Sequence, residues 1–297
     1  MKLTLQIRWL WVILVTGAVA QENLGDQDFR IVHEVQSQYQ QITVLDTDSG
    51  LRQLIFDGRF DGTDAIQSEM DLSRPNELTL SYSRHMMGVL PLIEAPKRIL
   101  IVGLGGACMQ RYLRHLLPDV SIETVELDPE IRRIAKEYFS LEEDERQIVH
   151  ISDGRRYIED SKDEYDIIFL DAFSATSIPY RLVTREFFTA VKSRVADGGI
   201  VCANLWDGHT DFPHIVKTFS EVFPELHSLK SSNSGNLILL AFPKATGLTV
   251  EEWTRKAETF EQQHPTGLDL PIIIGQGARQ KISVPANARV LLDQDEK

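Results

Sequence analysis

From Arg98 onward the chain alternates short, mostly apolar runs with amphipathic stretches, and this alternation restricts its fold more than any other feature. The runs are Arg98–Val102, Ser121–Val125, Ile148–Ile151, Tyr165–Leu170 and Ile200–Ala203. Apolar residues recur at helical spacing over Met109–Leu117, Pro129–Phe139, Arg155–Ser161, Arg185–Val195 and His214–Phe223. Strands apolar on both sides must be covered on both sides, and strands joined through helices run parallel. The pattern therefore predicts an α/β domain built on an open parallel sheet, finished by a late strand at Asn236–Phe242.

The region before Arg98 follows a different period. Apolar and polar residues alternate over Gln40–Leu45 and Leu51–Phe56, with Asp48-Ser49-Gly50 between them and Asp57-Gly58 after. These are strands and turn residues of a small antiparallel β unit. Glu77–Leu92 has helical spacing and reads as a linking helix. At the extreme N-terminus, Lys2 and Arg8 precede the apolar run Trp9–Val15 and the ending Ala18-Val19-Ala20, the pattern of a secretory signal. A membrane-spanning helix needs about 20 apolar residues, more than this run supplies. The domain is expected to be exported with Gln21 as its first residue, or anchored outside the membrane if uncleaved. The expected organisation is a signal over 1–20, a β-hairpin unit over 21–75, the α/β domain over 76–245 and an extension over 246–297. That extension is polar apart from Leu270–Ile274 and has no assigned place.

Composition narrows the partners. Lys plus Arg number 31 against 44 Asp plus Glu, a net charge of −13. Such a surface repels phosphate backbones, so no nucleic-acid partner is expected, and it suits a cationic small molecule. Two cysteines make neither a disulfide scaffold nor a paired-thiolate zinc site, and no metal is expected. Cys108 opens the first helix, where the dipole is expected to lower its pKa.

In an open parallel sheet, ligands sit beyond the carboxyl ends of the strands near the switch point. Four features fall at such ends. Gly103-Leu104-Gly105-Gly106 lets a ligand approach the backbone and a helix N-terminus. Glu126 ends the next strand, where an acid can accept both ribose hydroxyls. Asp153-Gly154 and Asp171 end the third and fourth strands. Each acid alone could be a helix cap. In strand order the four describe an adenosine site of the S-adenosylmethionine type, and no phosphate-binding Lys follows the glycines.

These segments resemble the polyamine aminopropyltransferases (spermidine synthases), in particular a divergent branch of that superfamily. The likeness runs from about His33 to Lys244. It rests on Ser37-Gln-Tyr39-Gln40, Val102-Gly103-Leu-Gly105-Gly106, Val125-Glu126-Leu-Asp128, Ser152-Asp153-Gly154, Tyr165 through Asp171-Ala-Phe, and Gly235-Asn-Leu. The resemblance implies a Rossmann-like sheet of the S-adenosylmethionine-dependent methyltransferase type with a small N-terminal β unit, and a homodimer. It implies that Gln40, Gly103, Gly105, Glu126, Asp153 and Gly154 hold the nucleoside, and that Asp171 is the base facing an attacking amine. Decarboxylated S-adenosylmethionine or S-adenosylmethionine would be a co-substrate rather than a tightly bound cofactor, and the acceptor an amine or polyamine. The chain departs from the pattern at two positions. Gly106 stands where the synthases carry an acid in the glycine turn, and Ser174 where they carry a second acid after the catalytic Asp. Asp207, or Asp61 and Asp64, could supply the missing charge, and Tyr82, His85 and Trp206 could line an acceptor pocket. Two alternatives stay open: an S-adenosylmethionine-dependent methyltransferase, and an exported binder of a nucleoside or polyamine without turnover.

Overall fold

The period-two and period-3.6 patterns become two sheets with their covering helices. A computed structural model describes residues 23–24, 27–57, 66–172, 179–231, 235–279, 282 and 284–296. The expected signal and residues Asp61, Asp64 and Ser174 lie outside them. β1 (Asn23–Leu24), β2 (Gln27–Gln36), β3 (Gln41–Thr47), β4 (Leu51–Phe56) and β5 (Ile66–Asp71) form an antiparallel sheet in sequential order. The N-terminal unit is thus five strands, wider than the hairpin read from the sequence.

The linking segment is not one helix. It is a short α1 (Ser81–Met86) that tightens into a 3-10 turn over Met87–Leu92, with Pro91 inside. Proline lacks an N–H and clashes with the preceding turn, so a regular helix cannot pass through it. Then come β6 (Arg98–Val102), α2 (Cys108–Leu116), β7 (Ser121–Glu126), α3 (Pro129–Tyr138), β8 (Gln147–Ile151), α4 (Gly154–Asp160) and β9 (Tyr165–Leu170). α5 (Arg185–Lys192), β10 (Val195–Trp206), α6 (Phe212–Val222), β11 (Glu225–Lys230) and β12 (Asn236–Phe242) follow. α7 (Val250–Gln263), α8 (Leu270–Gly277) and β13 (Ala278–Arg279) end the regular structure.

The second sheet has the order β13-β11-β12-β10-β9-β6-β7-β8. β10, β9, β6, β7 and β8 are parallel, whereas β12 is antiparallel to β10 and β11 to β12. β12 therefore lies inside the sheet rather than finishing it. The chain leaves β6 toward β7 and β8, then returns to the opposite side of β6 for β9. The gap between the ends of β6 and β9 is the switch point.

Alternate side chains of the apolar strands feed two cores. One face carries Ile99, Ile101, Ile167, Phe169, Ile200, Cys202, Ile238 and Leu240 under α1, α2, α7 and α8. The C-terminal segment belongs to this core: Trp253 is fully buried and its Nε1 donates to Gly88 O at 2.8 Å. The other face packs Leu100, Ile168, Val201 and Leu239 against α5 and α6, with Leu291 from the tail inserted. A third cluster joins the two sheets. Ile42, Val44, Leu54 and Met70 meet Leu104, Ala107, Ile134 and Phe139, which seats the N-terminal sheet on α3 and the glycine turn. Each Ile, Leu, Val, Met or Phe side chain among these contributes roughly 1.5–3 kcal/mol when fully buried.

Candidate active site

At the switch point the backbones of β6 and β9 close on each other. Asp171 N–H donates to Val102 O at 2.9 Å. Gly103 has φ +108°, and a Cβ there would lie 2.5 Å from Asp171 O, so this approach requires glycine. Gly105 has φ +52° and a comparable constraint from Ser68, 2.6 Å from the Cβ position. Gly154 brings β8 against β6, with a Val102 methyl 2.7 Å from where its Cβ would stand.

Glu126 lies beside the glycine turn. Its Oε2 accepts from Leu104 N–H at 3.1 Å and its Oε1 from Asp128 N–H at 2.8 Å. Burial raises its pKa, opposed by these backbone donors. Each oxygen keeps acceptor capacity for one more donor. Asp153 is the N-cap of α4, accepting from Arg156 N–H at 2.9 Å. Capping uses one oxygen of the carboxyl. The acid expected at the end of the third strand is thus the cap of α4.

Asp171 is half-buried, and its carboxyl is pushed up to about 7 by desolvation, against a lowering hydrogen bond from Asn204. Asn204 Nδ2 donates to Asp171 Oδ1 at 2.9 Å, and Asn236 Nδ2 donates to Asn204 Oδ1 at 2.8 Å. These three residues share the face of the sheet that carries Phe169, Cys202 and Ile238. Neither amide was among the residues expected at the site. A polar amide at the end of each of two apolar strands, in the same alternation as the buried set, was the available signal. Tyr82 faces this group: burial and then the Asp171 charge raise its pKa, and its hydroxyl donates to Gln67 O at 3.2 Å.

Other expected residues are placed differently. Gln40 sits in the turn between β2 and β3, where Ser37 Oγ accepts its N–H at 3.1 Å. Its side chain makes no hydrogen bond to Glu126, Asp153 or Asp171. His85 is buried, bonded through Nδ1 to Ser81 O at 2.7 Å, and lowered in pKa by burial. Asp207 is ion-paired with Lys230 near the surface, and Trp206 packs over Gly208 and Gly235. Cys108 corrects an expectation. Burial raises its pKa, outweighing Arg111 and any helix dipole, and its thiol donates to Glu69 O at 3.2 Å. Cys108 and Cys202 are both free thiols.

Gly106 occupies a closed position. Its N–H donates to Ser68 Oγ at 2.8 Å, and a Cβ would stand 2.8 Å from Phe139 and 2.9 Å from Ser68. Arg111, 5% exposed, holds the turn from beneath by donating to Gly106 O at 2.6 Å, Phe139 O at 2.5 Å and Pro75 O at 3.0 Å. An acid therefore cannot be restored here without moving Phe139. Gly106→Asp should destabilise the protein by about 1–3 kcal/mol through overpacking. A thermal melt unchanged from the parent would show that this space is larger than the contacts imply.

Comparison with known proteins places these features in a family context. The family model for the spermine/spermidine synthase domain matches residues 80–230, half of the chain. A polyamine aminopropyltransferase of Chromobacterium violaceum is 34% identical over 198 residues, 66% of this chain and 76% of the relative. The crystal structure of a probable spermidine synthase from Corynebacterium glutamicum shares the fold with a TM-score of 0.64. Its identity is 24%, covering 75% of this chain and 86% of that one. Human methyltransferase-like protein 13 in complex with SAH has a TM-score of 0.57 and 23% identity, covering 70% of this chain and 98% of that one.

Proposed function

The chain belongs to the spermine/spermidine synthase family, and from this we propose that it moves an aminopropyl group from a decarboxylated S-adenosylmethionine-type nucleoside to an amine. The observation that carries the proposal is the Asp171 carboxyl, held at the switch point beside the glycine turn and Glu126 with a pKa of about 7. An alkylamine has a free pKa near about 10 and is protonated and inert at neutral pH. A carboxylate within reach takes its proton as the nitrogen attacks the carbon next to the sulfonium. The new C–N bond forms as the C–S bond breaks, its electron pair passing to sulfur and leaving a neutral thioether. Aligning amine, carbon and leaving sulfur supplies much of the remaining acceleration. Glu126, Gly103, Gly105, Asp153 and Gly154 would hold the nucleoside.

The test is to titrate the protein with both sulfonium donors and with methylthioadenosine, and to assay aminopropyl and methyl transfer to a panel of amines. Binding without either transfer would select a non-catalytic binder instead. Within that panel, putrescine should be a poor acceptor, since Gly106 and Ser174 stand where synthases carry acids. Each lost charge-assisted contact is worth roughly 1.5–3 kcal/mol, so two weaken recognition about a hundredfold or more. Putrescine turnover equal to that of a spermidine synthase assayed alongside would mean that other acids serve.

A second reading, S-adenosylmethionine-dependent methyl transfer, is favoured by one feature. Position 106 carries no carboxylate, and a Cβ there would press on Phe139 and Ser68, so nothing there repels the carboxylate that S-adenosylmethionine retains. The same assay separates the two readings by which donor is consumed.

A further inference from the structure

We propose that Asn204 is the positioning residue of this site: its amide, locked by Asn236, fixes Oδ1 of Asp171 and leaves Oδ2 as the proton-accepting oxygen. The lock is a matter of hydrogen-bond polarity. Asn236 Nδ2 donates to Asn204 Oδ1 at 2.8 Å, so the other end of the Asn204 amide, its NH2, faces Asp171 Oδ1 at 2.9 Å. The reversed amide would set an oxygen against the carboxylate and one NH2 against another. Both contacts would be lost, in a place where Asn204 is only 5% exposed. Strand pairing makes the arrangement rigid. β10 is bonded to β9 on one side, with Ala203 opposite Leu170, and to β12 on the other, with Trp206 opposite Asn236. Asp171 Oδ2 has no hydrogen bond among the described residues.

The contact also opposes the loss of charge that burial imposes. Desolvation alone favours the neutral acid, which cannot take a proton, and the Asn204 hydrogen bond is the one opposing influence. Among the described residues, the titratable groups coupled to Asp171 are Tyr82 on α1 and Cys202 on β10. Burial and the Asp171 charge raise both, so both stay neutral where Asp171 titrates. The midpoint near 7 is therefore that of Asp171 itself, and transfer should rise with pH through it.

This inference rests on the reading of Asp171 as the base, so the test begins with a measurement that needs no turnover. Carbon-13 NMR of the full chain follows the Asp171 carboxyl, assigned by its loss in Asp171→Asn. Asn204→Ala should move its midpoint up by about one pH unit or more, and Asn236→Ala, which lets the amide turn over, should move it less in the same direction. In the unsubstituted protein the side-chain amide signals of Asn204 should shift with the same midpoint, which needs no variant to fold. Amide signals that ignore the Asp171 titration, or a folded Asn204→Ala with an unchanged midpoint, would overturn the proposal. With an amine acceptor, the acidic limb of kcat should move by the same amount, while KM for the donor stays within about twofold. A carboxyl midpoint that moves while the kcat limb does not would reject the positioning role. Absence of all transfer with the carboxyl shift intact would remove the function assigned above, not the contact.

Discussion

Asp171→Asn is expected to cut transfer by roughly 10²–10⁴ while leaving nucleoside affinity nearly unchanged. The substitution keeps the shape and the backbone bond to Val102 and removes only the proton acceptor. The same variant should be more stable than the parent in mild alkali. Asp171 has a folded pKa of about 7 against an ordinary value of 3.8. Between those values the folded protein holds a proton that the unfolded chain has released, so stability falls as pH rises from 3.8 toward 7. Asn has no charge to bury. Its stability should match the parent below the lower value and exceed it by about 4 kcal/mol above the upper one. Paired thermal melts at the two extremes, with single-turnover assays, check both halves. Equal stability at every pH would mean that the carboxyl is not held in a desolvated place. Retained transfer would mean that another group takes the proton, and Asp207 would be tested next.

Glu126→Ala should weaken methylthioadenosine binding at least a hundredfold by calorimetry. In the proposed function two ribose hydroxyls would lose a charged acceptor, at roughly 1.5–3 kcal/mol each. The effect has a second source inside the protein. Leu104 and Asp128 both donate backbone N–H groups to this carboxylate, so its removal also loosens the glycine turn and the entry to α3. Glu126→Gln separates the two. One amide oxygen can still accept from the backbone, but the amide cannot serve as a two-fold anionic acceptor, so folding should recover further than binding. An affinity within threefold of the parent in Glu126→Ala would place the nucleoside elsewhere.

The elements that sequence could specify are those whose signal is local. Alternating apolar strands and helices from Arg98 to Phe223 read directly as a parallel sheet, because period and burial are properties of each segment alone. The strand-end set Gly103, Glu126, Asp153 and Asp171 was legible for the same reason, since topology puts every parallel strand's carboxyl end on one edge. β5, β11 and the C-terminal helices were harder. Ile66–Asp71 and Glu225–Lys230 carry mixed polarity, and the order of β11, β12 and β13 depends on pairing partners distant in the chain. Trp253 looks like an exposed aromatic in a polar tail until α7 is laid on the core.

The sequence by itself therefore determined the fold class, the edge of the sheet that carries the strand-end acids and the identity of the acid that follows β9. Only the tertiary structure decided what that acid is. Asn204 and Asn236 lie 33 and 65 positions beyond Asp171, and no local pattern joins them. Their contact exists because β9, β10 and β12 are neighbours with matching alternation. The same holds at Gly106, where glycine reads as a missing acid. Phe139, just past α3, and Ser68 on β5 crowd the place one would take. Charge state and available space are set by whatever packs around a residue, and that neighbourhood is assembled only when the sheets close.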